Sequence, residues 1–85
     1  MIVFQHTIQD PNGIHARTAA GILKEAAKYE SKIMMTRGGM TVEASDVIGL
    51  MGLRANCGQM VEVRVEGPDE KEAEAGLKAY MAEHV

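Results

Sequence analysis

The chain has 85 residues, 46% of them hydrophobic and 25% charged, and its formal net charge is −3. This length provides one folded domain, residues 1–85, and excludes a second core of similar size. The acidic balance and the low aromatic content, one Phe and two Tyr, exclude nucleic acid as a partner, because such binding needs a basic surface and stacking platforms.

Cysteine usage and the lack of long apolar runs bear on location. Cys57 is the single cysteine, which excludes an intramolecular disulfide and favours a reducing compartment. The first residues lack the basic start and long apolar segment of a signal peptide. No apolar run reaches the roughly 20 residues that span a bilayer. We therefore expect a cytoplasmic protein without membrane insertion.

The first third of the chain predicts a strand, a turn and a helix. Residues 2–8 alternate between two faces, as in a half-buried strand. Residues 10–13, Asp-Pro-Asn-Gly, are four turn formers in succession. Residues 16–29 repeat small and apolar side chains every three or four positions, which indicates one buried helix face. The solvent side of this helix is expected to carry Lys24, Glu25 and Lys28.

The middle of the chain predicts a hairpin and a short helix. Residues 32–37 and 40–44 flank Gly38-Gly39, and both glycines can adopt the positive φ of a two-residue hairpin turn. Residues 45–46, Ser-Asp, are good capping residues ahead of the apolar run 47–53. That run predicts a helix of about two turns, which a glycine ends.

The last third predicts a strand and a helix. Residues 60–66 alternate valines with charged side chains, and Gly67-Pro68 interrupts the pattern. Asp69 and Glu72 have the spacing of a capping box at the start of the final helix. The buried stripe of this helix is expected to contain Ala73, Leu77, Tyr80 and Met81.

The order of these elements predicts the fold class. A strand, a helix, two strands, a short helix, a strand and a helix follow one another. Right-handed crossovers would put all three helices on one face of a four-stranded, mostly antiparallel sheet. The prediction is an α+β protein with two layers and the order βαββαβα.

Residues 13–20, Gly-Ile-His-Ala-Arg-Thr-Ala-Ala, carry the strongest functional signal. His15 directly precedes the first helix, whose initial N–H groups lack partners and attract anions. An imidazole there can accept a phosphoryl group near neutral pH, and the Arg17 guanidinium can neutralise the new charge. Asn12 either orients the ring through a hydrogen bond or serves only as a turn residue.

The whole chain resembles the HPr family, the histidine-containing phosphocarriers of the bacterial phosphoenolpyruvate-dependent sugar phosphotransferase system. The resemblance rests on residues 13–17 with the following alanines, the Gly39 hairpin, the segment 47–53 and Gly67-Pro68-Asp69-Glu70. It implies an open-faced β-sandwich with helices over one side. It also implies a phosphoryl-transfer intermediate rather than a stand-alone enzyme. A monomer is expected, although the sequence itself does not reveal whether the protein dimerises.

In terms of residues, the resemblance implies that His15 takes phosphate from enzyme I and passes it to sugar-specific enzyme IIA proteins. Arg17 would be its charged partner. The chemistry of the helix start, rather than the resemblance, predicts that Asn12, Ala16 and Thr18 support the phosphate. The short helix and the His15 end would form one docking surface. Of the apolar side chains on that helix, Val47 and Leu53 are expected in the core, whereas Ile48 and Met51 are expected to contact partners.

The chain departs from the family pattern at two positions. Thr18 stands where the family has a proline, so the helix start loses a preset φ and gains an N–H and a hydroxyl. Asp46 stands where HPr proteins of Gram-positive bacteria have a kinase-regulated serine, with Ser45 one residue earlier. Asp46 would either imitate a phosphoserine weakly or simply suit a helix start, and Ser45 would be either a shifted phosphorylation site or a cap.

Two other functions remain as alternatives. A regulatory module of the same fold would dock a carbon-catabolite transcription regulator or a metabolic enzyme through the Asp46 surface, but the family variants of this kind lack the active histidine. A free-standing phosphohydrolase would need a second catalytic group or a metal. The spacing of His6, Cys57 and His84 fits no metal site, so no metal or cofactor is expected, and both of these histidines are expected to be uninvolved.

Overall fold

The computed structural model describes residues 1–85 and contains four strands and three helices. The strands are β1 (Ile2–Thr7), β2 (Lys32–Arg37), β3 (Met40–Glu43) and β4 (Met60–Glu66). The helices are α1 (Ala16–Ala26), α2 (Val47–Gly52) and α3 (Glu70–His84). The predicted order of elements is confirmed, and α1 ends three residues earlier than expected. None of these helices combines the length and apolar character needed to cross a membrane.

The sheet has the strand order β1-β4-β2-β3, and all three neighbouring pairs are antiparallel. The valines of the central strand β4 face the helices and are fully buried, while Arg64 and Glu66 on the other face are exposed. Eighteen buried apolar residues form one core between the sheet and the helices. The structure is therefore the expected α+β sandwich with one open sheet face.

Helices α1 and α3 are held together by two reciprocal contacts between a tyrosine and a glycine. The Tyr80 hydroxyl of α3 lies directly over Gly21 of α1, and the Tyr29 hydroxyl lies over Gly76 of α3. A Cβ atom at either glycine would overlap the facing hydroxyl. These contacts fix how α3 lies along α1, so the C-terminal turn of α3 reaches the N-terminus of α1.

The expectation that Glu25 lies on the solvent side of α1 is wrong. Its side chain is buried, and its carboxylate accepts hydrogen bonds from Lys28 Nζ and Tyr29 Oη at 3.0 Å each. The Lys28 hydrogen bond, helped by that of Tyr29, lowers the pKa of Glu25. The carboxylate can be buried on this face because donors three and four residues further along the chain satisfy both of its oxygens.

The capping box predicted at the start of α3 is also wrong. Asp69 occupies the N-cap position, but its side chain makes no bond to its own helix. Its carboxylate instead accepts hydrogen bonds from the backbone N–H groups of Glu30 and Ser31 at 2.9 Å each and from the Ser31 hydroxyl. Asp69 thus ties the start of α3 to the loop between α1 and β2.

Candidate functional site

His15 is the N-cap residue of α1 and is presented by a loop that the rest of the fold holds in place. Gly13 has φ +68°, and a Cβ atom there would overlap the Ala55 carbonyl. The Ile14 N–H donates to that same carbonyl at 3.0 Å. His15 itself has extended backbone, with φ −119° and ψ −177°, and its side chain is 37% exposed. The loop therefore sets the imidazole at the helix start, open to solvent.

The N-terminus of α1 retains free hydrogen-bond donors. The first helical bond runs from Ala19 N–H to His15 C=O at 2.8 Å, and the His15 side chain caps no amide. The N–H groups of Ala16, Arg17 and Thr18 accordingly have no acceptor within the protein. Free amides and the positive end of the helix dipole together favour an anion at this point.

One nitrogen of the His15 ring is engaged and the other is free. Nε2 lies 2.8 Å from Thr18 Oγ1 and 3.4 Å from Asp10 Oδ2, and the Thr18 hydroxyl lies 3.5 Å from the same carboxylate oxygen. Thr18 is buried, so protein atoms rather than solvent surround its side chain. Nδ1 makes no hydrogen bond within the protein, which leaves it as the nitrogen available to react.

Asp10 is a site residue that sequence reasoning treated only as part of a turn. Its Oδ1 accepts the Asn12 backbone N–H at 2.8 Å, which directs Oδ2 towards His15. The Asn12 N–H bond, followed by the contacts with His15 and Thr18, lowers the pKa of Asp10. Of the two roles considered for Asn12, the structure has the turn role, because its side chain makes no hydrogen bond to the ring, which contacts Asp10 and Thr18 instead.

The site residues line one open depression of about 270 Å³. Arg17 is exposed and makes no ion pair or hydrogen bond, so its guanidinium is free to meet an anion. Two aromatic rings of α3, from Tyr80 and His84, complete the wall with centroids 4.7 Å apart. His84, which no sequence pattern connects with His15, therefore lies in the wall of the same depression. The residues lining it are Asp10, Asn12, His15, Arg17, Thr18, Tyr80 and His84.

Hydrogen bonds at its C-terminal end hold α3 against this site. The N–H groups of Gln9 and Asp10 donate to the Val85 carbonyl at 2.7 and 3.0 Å. The loop that carries Asp10 is thereby joined to the last turn of α3. No local sequence pattern predicts this contact, because Gln9 and Asp10 lie near one end of the chain and Val85 lies at the other.

A second exposed surface lies on α2. Ile48 is 83% exposed and Met51 is 40% exposed, whereas Val47 is half-buried and Leu53 is buried. The expected division between core and solvent on this helix is thus confirmed. Ile48 and Met51 are three positions apart on α2, so they lie on one exposed face of this helix.

The start of α2 differs from that of α1. Asp46 is the N-cap residue and accepts the Gly49 N–H at 2.9 Å. Ser45 is exposed and donates to Glu43 Oε2 at 3.3 Å. The interpretation of Ser45 as the cap is wrong, because Asp46 fills that position.

Comparisons with known proteins point in one direction. The family described as "PTS HPr component phosphorylation site" matches residues 2–83. The chain is 38% identical over 78 residues to the phosphocarrier protein HPr of Treponema pallidum, covering 92% of this chain and 89% of that one. It is 37% identical over 73 residues to the HPr-like protein Crh of Bacillus subtilis, covering 86% of each. The crystal structure of HPr-C-His from Thermoanaerobacter tengcongensis has a TM-score of 0.92 at 31% identity and covers 99% of this chain and 94% of that one.

Proposed function

This chain belongs to the HPr family of the phosphotransferase system and is a phosphocarrier, and we propose that His15 is the residue that carries the phosphoryl group. The observation that supports this assignment is the free Nδ1 of His15 beside three unpaired N–H groups at the start of α1. Of the three histidines, His15 alone stands at a helix N-terminus. The proposed location is the cytoplasm, where the phosphoryl donor and acceptors of this system act.

Phosphorylation of His15 follows from the difference between its ring nitrogens, since Nδ1 is free and Nε2 is engaged. The Nδ1 lone pair attacks the phosphorus atom of the phosphorylated donor, enzyme I. The bond between phosphorus and the donor breaks, its electron pair stays with the donor, and a bond between Nδ1 and phosphorus forms. Nε2 takes no part in this attack, because it is already engaged with Asp10 and Thr18.

The phosphoryl group on His15 would then lie close to two sources of positive charge, the N-terminus of α1 and the Arg17 guanidinium. The amides of Ala16, Arg17 and Thr18 can donate to its oxygens, and the unpaired Arg17 guanidinium can form a charge-assisted pair. All of these groups are exposed or lie at the helix end, so the stabilisation stays moderate. A carrier needs that balance, because the phosphate must leave again for enzyme IIA proteins.

The phosphorylation test uses the folded chain with phosphoenolpyruvate and enzyme I. The expected result is one acid-labile phosphate per chain, located at His15 by mass spectrometry, and none in His15→Ala. His6 and His84 are internal controls, because they are histidines of the same chain with no expected phosphate. Acid-labile phosphate on His15→Ala at the wild-type level would refute the assignment.

We further propose that Ile48 and Met51 contact enzyme I and enzyme IIA proteins. Their exposure on α2 supports this role. Ile48→Asp is expected to raise the Kd for enzyme I about tenfold or more, as loss of a buried apolar contact does. Val3→Asp is the matched control, because Val3 is a 48% exposed aliphatic residue on β1. Equal weakening by both variants would argue against docking through α2.

A second candidate is a regulatory role through the surface around Asp46, supported by the similarity to Crh. A carbon-catabolite transcription regulator would then bind His15→Ala normally and bind Asp46→Lys weakly. Modification of Ser45 is disfavoured, because a phosphoryl group there would lie beside the carboxylates of Glu43 and Asp46. We therefore propose that any regulation here depends on Asp46 rather than on a phosphorylated Ser45.

A further inference from the structure

We propose that Asp10 and Thr18 are positioning residues that hold a proton on Nε2 of His15 both before and after Nδ1 is phosphorylated. This inference rests on the proposed function, since it describes how the same ring receives and releases phosphate. Three polar atoms form a triangle beside the start of α1. Nε2 lies 2.8 Å from Thr18 Oγ1 and 3.4 Å from Asp10 Oδ2, and Thr18 Oγ1 lies 3.5 Å from that same Oδ2.

The charge of Asp10 decides which ring nitrogen carries the proton. A bare Nε2 would direct its lone pair towards a carboxylate oxygen 3.4 Å away, and two electron-rich atoms would face each other. A protonated Nε2 donates to Thr18 Oγ1, and the Thr18 hydroxyl in turn donates to Asp10 Oδ2. The arrangement therefore selects the tautomer whose lone pair is on Nδ1.

Asp10 is held in this position by bonds that do not involve His15. Its Oδ1 is fixed by the Asn12 N–H at 2.8 Å, and its own N–H donates to the Val85 carbonyl at 3.0 Å. Thr18 is buried within the first turn of α1. Both partners of the ring are thus in place before any phosphate arrives, as preorganisation requires.

The same contacts act on the phosphorylated ring. With phosphate on Nδ1, protonation of Nε2 makes the ring an imidazolium, and Asp10 stabilises that charge. When the phosphoryl group moves to an acceptor, the bond between Nδ1 and phosphorus breaks and its electron pair returns to Nδ1. The ring then leaves as neutral imidazole with the Nε2 proton still in place. Asp10 and Thr18 therefore favour release of phosphate as well as its uptake.

The other groups around the ring oppose its protonation or are neutral. Arg17 of α1 and His84 of α3 line the same depression and add positive charge or none, and Tyr80 of α3 is neutral. Asp10 is the single carboxylate among the lining residues. Its replacement should consequently weaken the hold on the Nε2 proton, because no other lining residue supplies a carboxylate.

The test compares Asp10→Asn and Thr18→Val with the wild type by ¹⁵N and ³¹P NMR. Asp10→Asn retains an oxygen for the Asn12 N–H, so the turn is preserved while the charge is removed. In the free protein, the Nε2-protonated tautomer should lose population in both variants. In the phosphorylated protein at neutral pH, the ¹⁵N shift of Nε2 in Asp10→Asn should move towards that of an unprotonated nitrogen, and phosphate loss should slow up to about tenfold.

Two further variants serve as controls. Thr18→Ser keeps the hydroxyl and should behave like the wild type. Glu74→Gln removes a carboxylate from α3 that pairs with Lys78 and does not line the depression, so it should leave the ring unchanged. If Asp10→Asn and Thr18→Val are both phosphorylated on His15 and show the wild-type tautomer and the wild-type rate of phosphate loss, the positioning role is refuted while the phosphocarrier site stands. Lack of phosphate on His15 in the wild type would instead refute the site itself.

Discussion

The N-termini of α1 and α2 differ in what meets their first amide groups. At α2, the Asp46 carboxylate accepts the Gly49 N–H at 2.9 Å, so the helix start already has its own anion. At α1, the equivalent residue is His15, whose ring caps no amide and contacts Thr18 and Asp10 instead. The helix start that lacks an acceptor of its own is the one that can receive an anion from outside.

The start of α3 provides a third arrangement. Asp69 has the residue type of a cap but uses its carboxylate for the loop at Glu30 and Ser31. Three helix starts in one small chain thus serve three purposes: an open site at α1, a closed cap at α2 and a tertiary clamp at α3. Single substitutions can alter these termini one at a time.

The largest effect is expected from closing the α1 terminus with His15→Asn. Asparagine is a good N-cap, so the free energy of unfolding should rise by about 0.5–1 kcal/mol, whereas acceptance of phosphate from enzyme I should be lost completely. Thermal unfolding and phosphate incorporation measure the two effects. If His15→Asn is less stable than the wild type and still accepts phosphate, the α1 terminus does not differ from the α2 terminus in being open for an anion.

Removing the cation beside the α1 terminus should have the next largest effect on activity. Arg17→Ala loses a charge-assisted pair with phosphate, and we expect phosphoryl transfer from enzyme I to slow about 10- to 100-fold. Arg17→Lys should recover part of this loss, because it keeps the charge without the planar fork of donors. Lys24→Ala, at an exposed position on the same helix, is the control and should transfer at the wild-type rate.

Sequence patterns predicted the secondary structure well because alternation and helical periodicity are local. They placed His15 and Arg17 at a helix start for the same reason, since a helix start and its flanking residues lie together in the chain, and the structure has both residues there. Patterns missed Asp69 because its acceptor role involves Ser31, which is distant in sequence. They missed the contact between Asp10 and His15 because the Asp10 carboxylate has two roles. One oxygen closes the turn, which the sequence pattern predicts, and the other contacts the ring, which it does not predict.

The clamp at α3 should control acid stability. Ser31 and Glu30 hydrogen bonds, that of the Ser31 side chain foremost, lower the pKa of Asp69 from its ordinary value of 3.8. A carboxylate with a lowered folded pKa stabilises the protein above the unfolded value, and this stabilisation is lost as the pH falls through the folded pKa. Asp69→Ala should therefore lower Tm at neutral pH by about 10 °C.

The pH profile distinguishes the clamp from a simple loss of packing. Between pH 7 and pH 2, Tm of the wild type should fall more steeply than that of Asp69→Ala, so the two curves should converge in acid. Asp10 and Glu25 also have lowered pKa values, so part of the slope should remain in the variant. Parallel curves at all pH values would show that the Asp69 charge has no role in stability.

The smallest effect is expected at the α2 cap. Asp46→Ala leaves the Gly49 N–H without its acceptor and should cost about 1 kcal/mol of unfolding free energy, or about 4–8 °C in Tm. Asp46→Ser restores an acceptor and should recover most of that loss. Phosphate acceptance at His15 should be unchanged in both variants, because the α1 terminus has its own free amides and does not depend on the α2 cap. A large fall in acceptance without a fall in Tm would mean that Asp46 serves docking of the donor rather than helix stability.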